Sequence, residues 1–140
     1  MKSLICSVVG CVGSGIAYAF GGWDASFITL LVFMGLDYLT GIIVAGIFHK
    51  STKSKTGALE SRAGWKGLIK KCVTLVFVII AVRLDVLIGT NYIRDAVCIA
   101  FIVNELISIV ENAGLMGVPI PAVITKAIEI LKTKEEGEQQ

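Results

Sequence analysis

The sequence predicts an all-α integral membrane protein with three or four transmembrane helices, four being the favoured count, and a C-terminal amphipathic helix at the membrane interface. Hydrophobic residues make up 55% of the 140 residues, charged residues make up only 17%, and the mean hydropathy is +0.81. This is more apolar than a soluble domain of this size requires for its core. The apolar residues also fall into long runs on either side of one basic segment, residues 49–71.

The basic segment 49–71 determines the predicted topology. It contains seven basic residues against the single acid Glu60, for a net charge of +6. Short segments rich in Lys and Arg stay on the cytoplasmic side of the membrane, so we expect a cytoplasmic loop here. Its positive charges are Lys50, Lys53, Lys55, Arg62, Lys66, Lys70 and Lys71. Nucleic acid is not an expected partner, because Trp65 is the only aromatic residue in the segment that could stack on a base.

The first predicted span covers residues 4–22, a run without charge that is close to the roughly 20 residues a membrane helix needs. Small residues at intervals of four permit close approach of two helices in lipid. The second helix could belong to another copy of the chain or to the same chain, and both interpretations stay open. These small residues are Gly10, Ser14, Gly15 and Ala19, with Gly41 and Ala45 in the second span.

A signal peptide is the alternative for residues 4–22, given Lys2 and the Ala-x-Ala pattern at residues 17–19. Because the positive region is minimal and no soluble domain follows, we expect the segment to stay uncleaved.

The second predicted span covers residues 26–48 and contains Asp37 within an otherwise apolar run. An ionised carboxylate in the middle of a membrane helix costs roughly 2.5 to 3.5 kcal/mol on insertion scales. We therefore expect Asp37 to face protein or water rather than lipid, either in a structural hydrogen bond or in a transport function.

The third predicted span covers residues 72–89 and is interrupted by Arg83 and Asp85. Arg83 and Asp37 lie at equal distances in sequence from the two ends of the basic segment. At about 1.5 Å per residue, both are roughly 18 Å from the cytoplasmic side. The sequence thus predicts an ion pair between Asp37 and Arg83. Asp85 is two positions from Arg83, points to a different face of the helix and is not expected to neutralise it.

The fourth predicted span covers residues 96–116, and its polar residues are confined to one side. At about 100° per residue they occupy a sector of roughly 120°. Because unpaired polar groups in hydrocarbon are costly, we expect this sector to pack against protein at rest, and lining water is the alternative. The polar sector of the fourth span consists of Asn104, Glu105, Ser108, Glu111 and Asn112.

The C-terminal part of the chain is predicted to lie outside the spans. Residues 122–132 show apolar residues at helical spacing, with Lys126, Glu129 and Lys132 on the other side, as in an interfacial amphipathic helix. Residues 133–140 form a polar tail for which we expect disorder. We expect residues 1–132 to form a single membrane domain. Four spans place both termini in the cytoplasm with the basic segment and leave Arg94 in an outer loop.

Catalytic chemistry has no visible basis in the sequence. The four cysteines form no CxxC pair, His49 is the only histidine, and no nucleophile with an adjacent base or phosphate-binding loop is recognisable. We therefore expect no catalytic, cofactor-binding or metal site, and no enzymatic activity.

Four blocks of sequence resemble a known family: residues 37–41 (DYLTG), 67–71 (GLIKK), 104–112 (NELISIVEN) and 117–121 (GVPIP). Together they are similar to the phage-lysis and toxin-secretion holin family, over about residues 26–131. The resemblance implies a small phage-encoded protein that accumulates in the host cytoplasmic membrane and forms homo-oligomeric lesions there. Through these lesions an endolysin or a large toxin escapes, without a required direct contact.

Two other functions stay open from the residues alone. In a small four-helix exporter, Asp37 or Glu105 would exchange protons for a cationic substrate. A membrane assembly subunit would neither form lesions nor export a substrate.

Overall fold

The computed structural model describes residues 1–138, which form five α-helices and contain no strand. The prediction of an all-α protein is confirmed. The helices are α1 (Lys2–Phe20), α2 (Ala25–Ile43), α3 (Ser61–Ile88), α4 (Ile93–Leu115) and α5 (Ala122–Glu138). A π-helical segment, Val44–Phe48, continues α2 to the start of the basic loop.

Two stretches of the described residues are long and apolar enough to cross a membrane, Lys2–Phe20 and Ala25–Phe48. They coincide with the first two predicted spans. α3 and α4 contain more charged residues, six and four respectively. The predicted count of four spans is not confirmed by the structure and remains a prediction.

The third helix begins earlier than the sequence predicted. The basic segment 49–71 was expected to be a loop throughout, but the loop ends at Glu60 and α3 begins at Ser61. Arg62, Lys66 and Lys70 recur at every fourth position, which places them on one side of a helix. The high charge of the segment concealed this helical spacing.

The turn between α1 and α2 depends on two residues. Gly21 ends α1 with φ of 76°, a conformation that side chains other than glycine rarely adopt. A Cβ at this position would also lie 3.3 Å from Val82 and 3.4 Å from Arg94 Nε. Asp24 then begins α2, since its Oδ1 accepts a hydrogen bond of 3.0 Å from the backbone N–H of Phe27.

The apolar core lies between α2, α3 and α4, and α2 and α4 form the most extensive helix pair. Side chains from α2 pack against side chains from the other two helices and form one buried cluster. The core residues are Phe27, Leu30 and Met34 on α2, Val78 on α3, and Cys98 and Ile102 on α4.

The small residues of the two first spans have different surroundings. On α2 and its continuation, Ala45 is buried, and a Cβ at Gly41 would lie 3.9 Å from Asn112 Nδ2. On α1, Gly10 and Gly15 have no atom within 4 Å of a Cβ position, and no α1 residue is buried. One contact to α1 comes from Trp23, whose Nε1 donates to the Gly13 carbonyl at 3.1 Å. Self-association through α1 therefore stays a prediction.

α5 is longer than predicted and folds back along α4. Ile128 is buried, and Lys132 and Glu136 lie beside Phe101 and Asn104 of α4. The helix continues to Glu138, into the tail for which we expected disorder, because Lys and Glu are strong helix formers. The last two residues of the predicted tail, 139–140, lie outside the described residues. An interfacial position for α5 stays a prediction.

Candidate functional site

Lys71 of α3 lies at the centre of a charged cluster between α2, α3 and α4. Its Nζ is 2.8 Å from Asp37 Oδ2 and 2.5 Å from Glu105 Oε2. Both carboxylates are buried, and only 13% of the Lys71 side chain is exposed. One ammonium group thus joins acidic residues of two other helices. We call Asp37, Lys53, Lys71, Glu105 and Asn112 the Lys71 cluster.

Asn112 and Thr40 hold Asp37 in position. Asn112 Nδ2 donates to Asp37 Oδ1 at 3.2 Å and to Thr40 Oγ1 at 2.9 Å. Thr40 Oγ1 in turn donates to the Asp37 carbonyl at 3.1 Å. Because Asn112 is itself buried, these contacts join α2 to α4 through polar groups that have little access to water.

Lys53 connects the basic loop to the Lys71 cluster. Its Nζ lies 3.7 Å from Asp37 Oδ1 and donates to Ser108 Oγ at 3.2 Å, while 54% of its side chain is exposed. With Lys53 included, two ammonium groups balance the two carboxylates. A balanced group of charges costs less in an apolar bundle than an isolated one.

The predicted ion pair between Asp37 and Arg83 is wrong. Asp37 pairs with Lys71, and Arg83 is exposed and makes no ion pair among the described residues. The error follows from the misplaced start of α3. Counted from Ser61, Arg83 lies about 33 Å along the helix, whereas Lys71 lies about 15 Å along it. Lys71 is therefore the residue at the depth of Asp37.

The structure gathers most of the polar sector of α4 around one cavity. Glu105 and Asn112 are buried, Ser108 is half-buried, and Asn104 and Glu111 are exposed. A cavity of about 500 Å³ lies beside the cluster. The sector packs inward through Glu105 and Asn112 only. The polar groups that line the cavity include Asp37, Lys53, Lys71, Asn104, Glu105, Ser108 and Glu111.

Arg94 forms a second charged group at the opposite end of the bundle. It was expected in an outer loop, but it is the second residue of α4 and only 6% exposed. Its Nε donates to the Phe20 carbonyl at 2.9 Å and its Nη2 to the Gly22 carbonyl at 3.3 Å. Nη1 pairs with Asp24 and, at 3.0 Å, with Asp95. We call Arg94, Asp24 and Asp95, with these two carbonyls, the Arg94 cluster.

The Arg94 cluster changes the acidity of Asp24. The hydrogen bond from Arg94 holds the pKa of the Asp24 carboxyl below its usual value, against the opposing effect of burial. The lowered pKa means that Asp24 keeps its charge to lower pH than an ordinary aspartate, while it also begins α2. Sequence reasoning missed this pair, although an Asp directly before a long apolar run is a recognisable helix-start signal.

Asp85 joins the end of α3 to the start of α4. Its carboxylate accepts hydrogen bonds from Thr90 Oγ1 at 2.6 Å, from the Ile93 N–H at 3.0 Å and from the Arg94 N–H at 2.9 Å. As predicted, Asp85 does not pair with Arg83. It satisfies backbone donors of the first turn of α4, which have no partner within their own helix.

The other basic residues of segment 49–71 are exposed, and two of them, Lys66 and Lys70, also line the cavity. They lie either on the loop or on the first turns of α3. In the described part of the chain, none of them forms an ion pair with a residue of the Lys71 cluster. These exposed residues are Lys50, Lys55, Arg62, Lys66 and Lys70.

Comparison with known proteins gives one family. Residues 14–133 match the bacteriophage holin family. A protein named "Probable holin" from Bacillus phage phi105 is 31% identical over 122 residues, which cover 86% of this chain and 83% of that protein.

Two bacterial relatives are more similar in sequence than the phage protein, and both are named as uncharacterized. An uncharacterized 14.9 kDa protein from Clostridium perfringens is 43% identical over 126 residues, 89% of each chain. An uncharacterized protein from Listeria innocua is 36% identical over 135 residues, 94% of this chain and 91% of that protein. No solved structure matches the chain.

Proposed function

Since the chain belongs to the bacteriophage holin family, we propose that it accumulates in the cytoplasmic membrane of a bacterial host and oligomerises there into lesions. An endolysin or a toxin leaves the cell through these lesions without binding the protein that forms them. The observation that carries the proposal is the Lys71 cluster, which lies among apolar helices and opens on a cavity. Such groups require enclosure by protein in one chain and are suited to line water in an assembly.

Four spans with both termini in the cytoplasm fit this function. The family and the apolar helices α1 and α2 indicate a membrane location. Between Lys71 and the end of α3, the residues are apolar except for Thr74, Arg83 and Asp85, over about 26 Å of helix. This length is close to the hydrocarbon thickness of about 30 Å. The basic loop then lies on the cytoplasmic side and the Arg94 cluster on the outer side.

Lesion opening requires the contacts of Lys71 to change. In the single chain, Lys71 joins α3 to Asp37 of α2 and Glu105 of α4. We propose that association of several chains turns the polar sector of α4 toward a common aqueous lumen. Water then replaces the protein partners of Glu105. α1, which has no buried residue, is available for contacts between chains.

Expression of the chain in bacteria tests the function. The expected result is an abrupt arrest of growth with release of a cytoplasmic enzyme, such as β-galactosidase, into the medium. A matched culture that expresses an unrelated membrane protein of similar size at an equal level controls for the load of a foreign membrane protein. Accumulation in the membrane without enzyme release would contradict lesion formation.

A proton-coupled exporter is the second candidate, and the cavity bounded by Asp37 and Glu105 favours it. Expression would then confer resistance to cationic drugs while the cytoplasmic enzyme stays inside the cells. A membrane assembly subunit would give neither result. The same cultures therefore distinguish all three functions.

The topology has its own test in intact cells, scored before lysis begins. In a background without the native cysteines, Cys at Lys55 should be shielded from an impermeant thiol reagent and Cys at Asn91 should be labelled. Both positions are exposed in the structure, so accessibility within the protein does not decide the result. Reversed labelling would contradict cytoplasmic placement of the basic loop.

A further inference from the structure

α3 is longer than a membrane span needs. Its 28 residues extend over about 42 Å, while the hydrocarbon core is about 30 Å thick. In the membrane placement proposed above, on which this inference rests, the outer end of α3 is at Ile88. The first turns of α3, residues 61–70, then lie at the level of the lipid headgroups on the cytoplasmic side.

These turns carry a row of cations that the protein itself does not neutralise. At about 100° per residue, Arg62, Lys66 and Lys70 fall within an arc of about 80°, and Lys71 lies on the opposite side of the helix from Arg62. All three cations of the row are exposed, and none forms an ion pair among the described residues. Glu60, the acid nearest in sequence, accepts instead from Thr56 Oγ1 at 2.9 Å.

Large apolar side chains flank the same row. Trp65 is 65% exposed and Ile69 is 57% exposed, on the side of the row away from Lys70. Trp is typical of the boundary between headgroups and acyl chains, and Lys and Arg stems also lie along apolar surfaces there. Exposed Trp and Ile next to cations fit a lipid surface better than they fit a free anion in water.

We propose that Arg62, Lys66 and Lys70 bind the headgroups of anionic phospholipids in the cytoplasmic leaflet, with Trp65 inserted at the boundary. The charges are complementary, and a cation near an anionic membrane surface contributes up to about fivefold in affinity. Binding holds the start of α3 at a fixed depth. That depth also determines where Lys71, one residue beyond the row, meets Asp37 and Glu105.

Trp65 provides a direct measurement. The chain has two tryptophans, so Trp23→Phe leaves Trp65 as the only one. The full chain is reconstituted in phosphatidylcholine vesicles that contain phosphatidylglycerol, and one of the two lipids carries brominated acyl chains at a fixed fraction. We expect brominated phosphatidylglycerol to quench Trp65 more strongly than the same fraction of brominated phosphatidylcholine. Replacing all three cations of the row by Gln should abolish this preference.

Two controls are needed, one for the loss of three positive charges and one for the position of the tryptophan probe. The triple variant Lys126→Gln, Lys132→Gln and Lys134→Gln on α5 removes equal charge and should keep the preference. Trp65→Phe leaves Trp23, at the other end of the bundle, which should show none. Inorganic phosphate at constant ionic strength should not compete, and competition would overturn the proposal in favour of a site for free phosphate.

The outcomes separate this inference from the proposed function. Equal quenching of Trp65 by the two lipids would overturn the lipid preference and leave lesion formation unaffected. Absence of quenching by either lipid would overturn both this inference and the membrane placement of α3. Retained preference in the Gln variant of the row would show that other residues bind the headgroups and would also overturn the proposal.

Discussion

The two charged clusters lie at opposite ends of the bundle and consist of different kinds of contact. In the Lys71 cluster, side chains of three different helices bind one another beside a cavity. In the Arg94 cluster, one guanidinium binds two backbone carbonyls and two carboxylates at the ends of helices. The carboxylates also differ, since Asp37 and Glu105 are buried whereas Asp24 and Asp95 are half exposed.

This difference indicates different roles. Backbone carbonyls at helix ends change position only if the helices themselves move, so the Arg94 cluster fastens α1, α2 and α4 together. Contacts between side chains exchange partners by rotation about single bonds, and the cavity beside the Lys71 cluster gives them space. In the topology and function proposed above, we therefore expect the outer end, which holds the Arg94 cluster, to remain fixed during lesion formation. The cytoplasmic end, which holds the Lys71 cluster, should rearrange.

Loss of the Lys71 charge should have the largest effect on stability. Lys71→Met leaves Asp37 and Glu105 buried without their common partner, and breaking a buried ion pair from one side costs about 3–5 kcal/mol. The variant should accumulate poorly in membranes and unfold at lower denaturant concentration in detergent micelles. Lys70→Met, which removes an exposed charge from the neighbouring position, is the matched control and should change stability little. Equal behaviour of the two variants would contradict the central position of Lys71.

Loss of Arg94 should have a smaller effect than loss of Lys71. Arg94→Gln removes hydrogen bonds to charged groups and to carbonyls, but Asp24 and Asp95 are half exposed and can bind water instead. We expect a cost of about 2 kcal/mol, measured as above. Arg83→Gln removes the same charge from an exposed position on α3 and should cost close to nothing. If Arg94→Gln proved as harmless as Arg83→Gln, the outer end would not be the fixed one.

Glu105→Gln should separate stability from function. Gln keeps the shape of the side chain, and Asp37 remains as a partner for Lys71, so we expect a loss of only about 1 kcal/mol. Accumulation should persist while the onset or extent of lysis changes, because the charge that turns toward the lumen is absent. Lysis curves at matched protein levels are the measurement, with Val110→Leu on the apolar side of α4 as control. Unchanged curves would make the polar sector a packing surface only.

The helices of this chain could be predicted from sequence because lipid and apolar cores both demand long uncharged runs. The runs around residues 4–22 and 26–48 correspond to α1 and to α2 with its continuation. Segment 49–71 was misread because charge alone was taken as evidence of a loop. Glu60 followed by Arg62, Lys66 and Lys70 at helical spacing was the signal for the actual start of α3.

It was easier to predict which residues belong to the site than to predict which of them pair with one another. Asp37, Glu105, Ser108 and Asn112 were all recognised as polar groups in apolar surroundings, and the structure brings them together. The partner of Asp37 depended on the register of α3, and an error of eleven residues in its start exchanged Lys71 for Arg83. The Arg94 cluster was missed in part because two of its four acceptors are backbone carbonyls, which carry no sequence signal.

The smallest predicted effect concerns pH at the outer end. The hydrogen bond from Arg94 holds the pKa of Asp24 below its usual value. The stability contributed by charged Asp24 is therefore fully present above the unfolded pKa of about 3.9 and is lost as pH falls through the lower folded value. Because 48% of the Asp24 side chain is exposed, solvent screening limits this contribution to a few tenths of a kcal/mol, roughly.

Asp24→Asn tests that contribution, because Asn keeps the side-chain oxygen that begins α2 but loses the charge and the second oxygen, which accepts from Arg94. Wild type should be slightly more stable than the variant at pH 7, and this difference should shrink between about pH 5 and pH 3. Unfolding in detergent micelles across this range measures it. In the Arg94→Gln background the same substitution should show a much weaker pH dependence, since the guanidinium that lowers the pKa is gone. A difference between wild type and Asp24→Asn that persists unchanged at pH 3 would mean that it does not come from the titrating charge of Asp24.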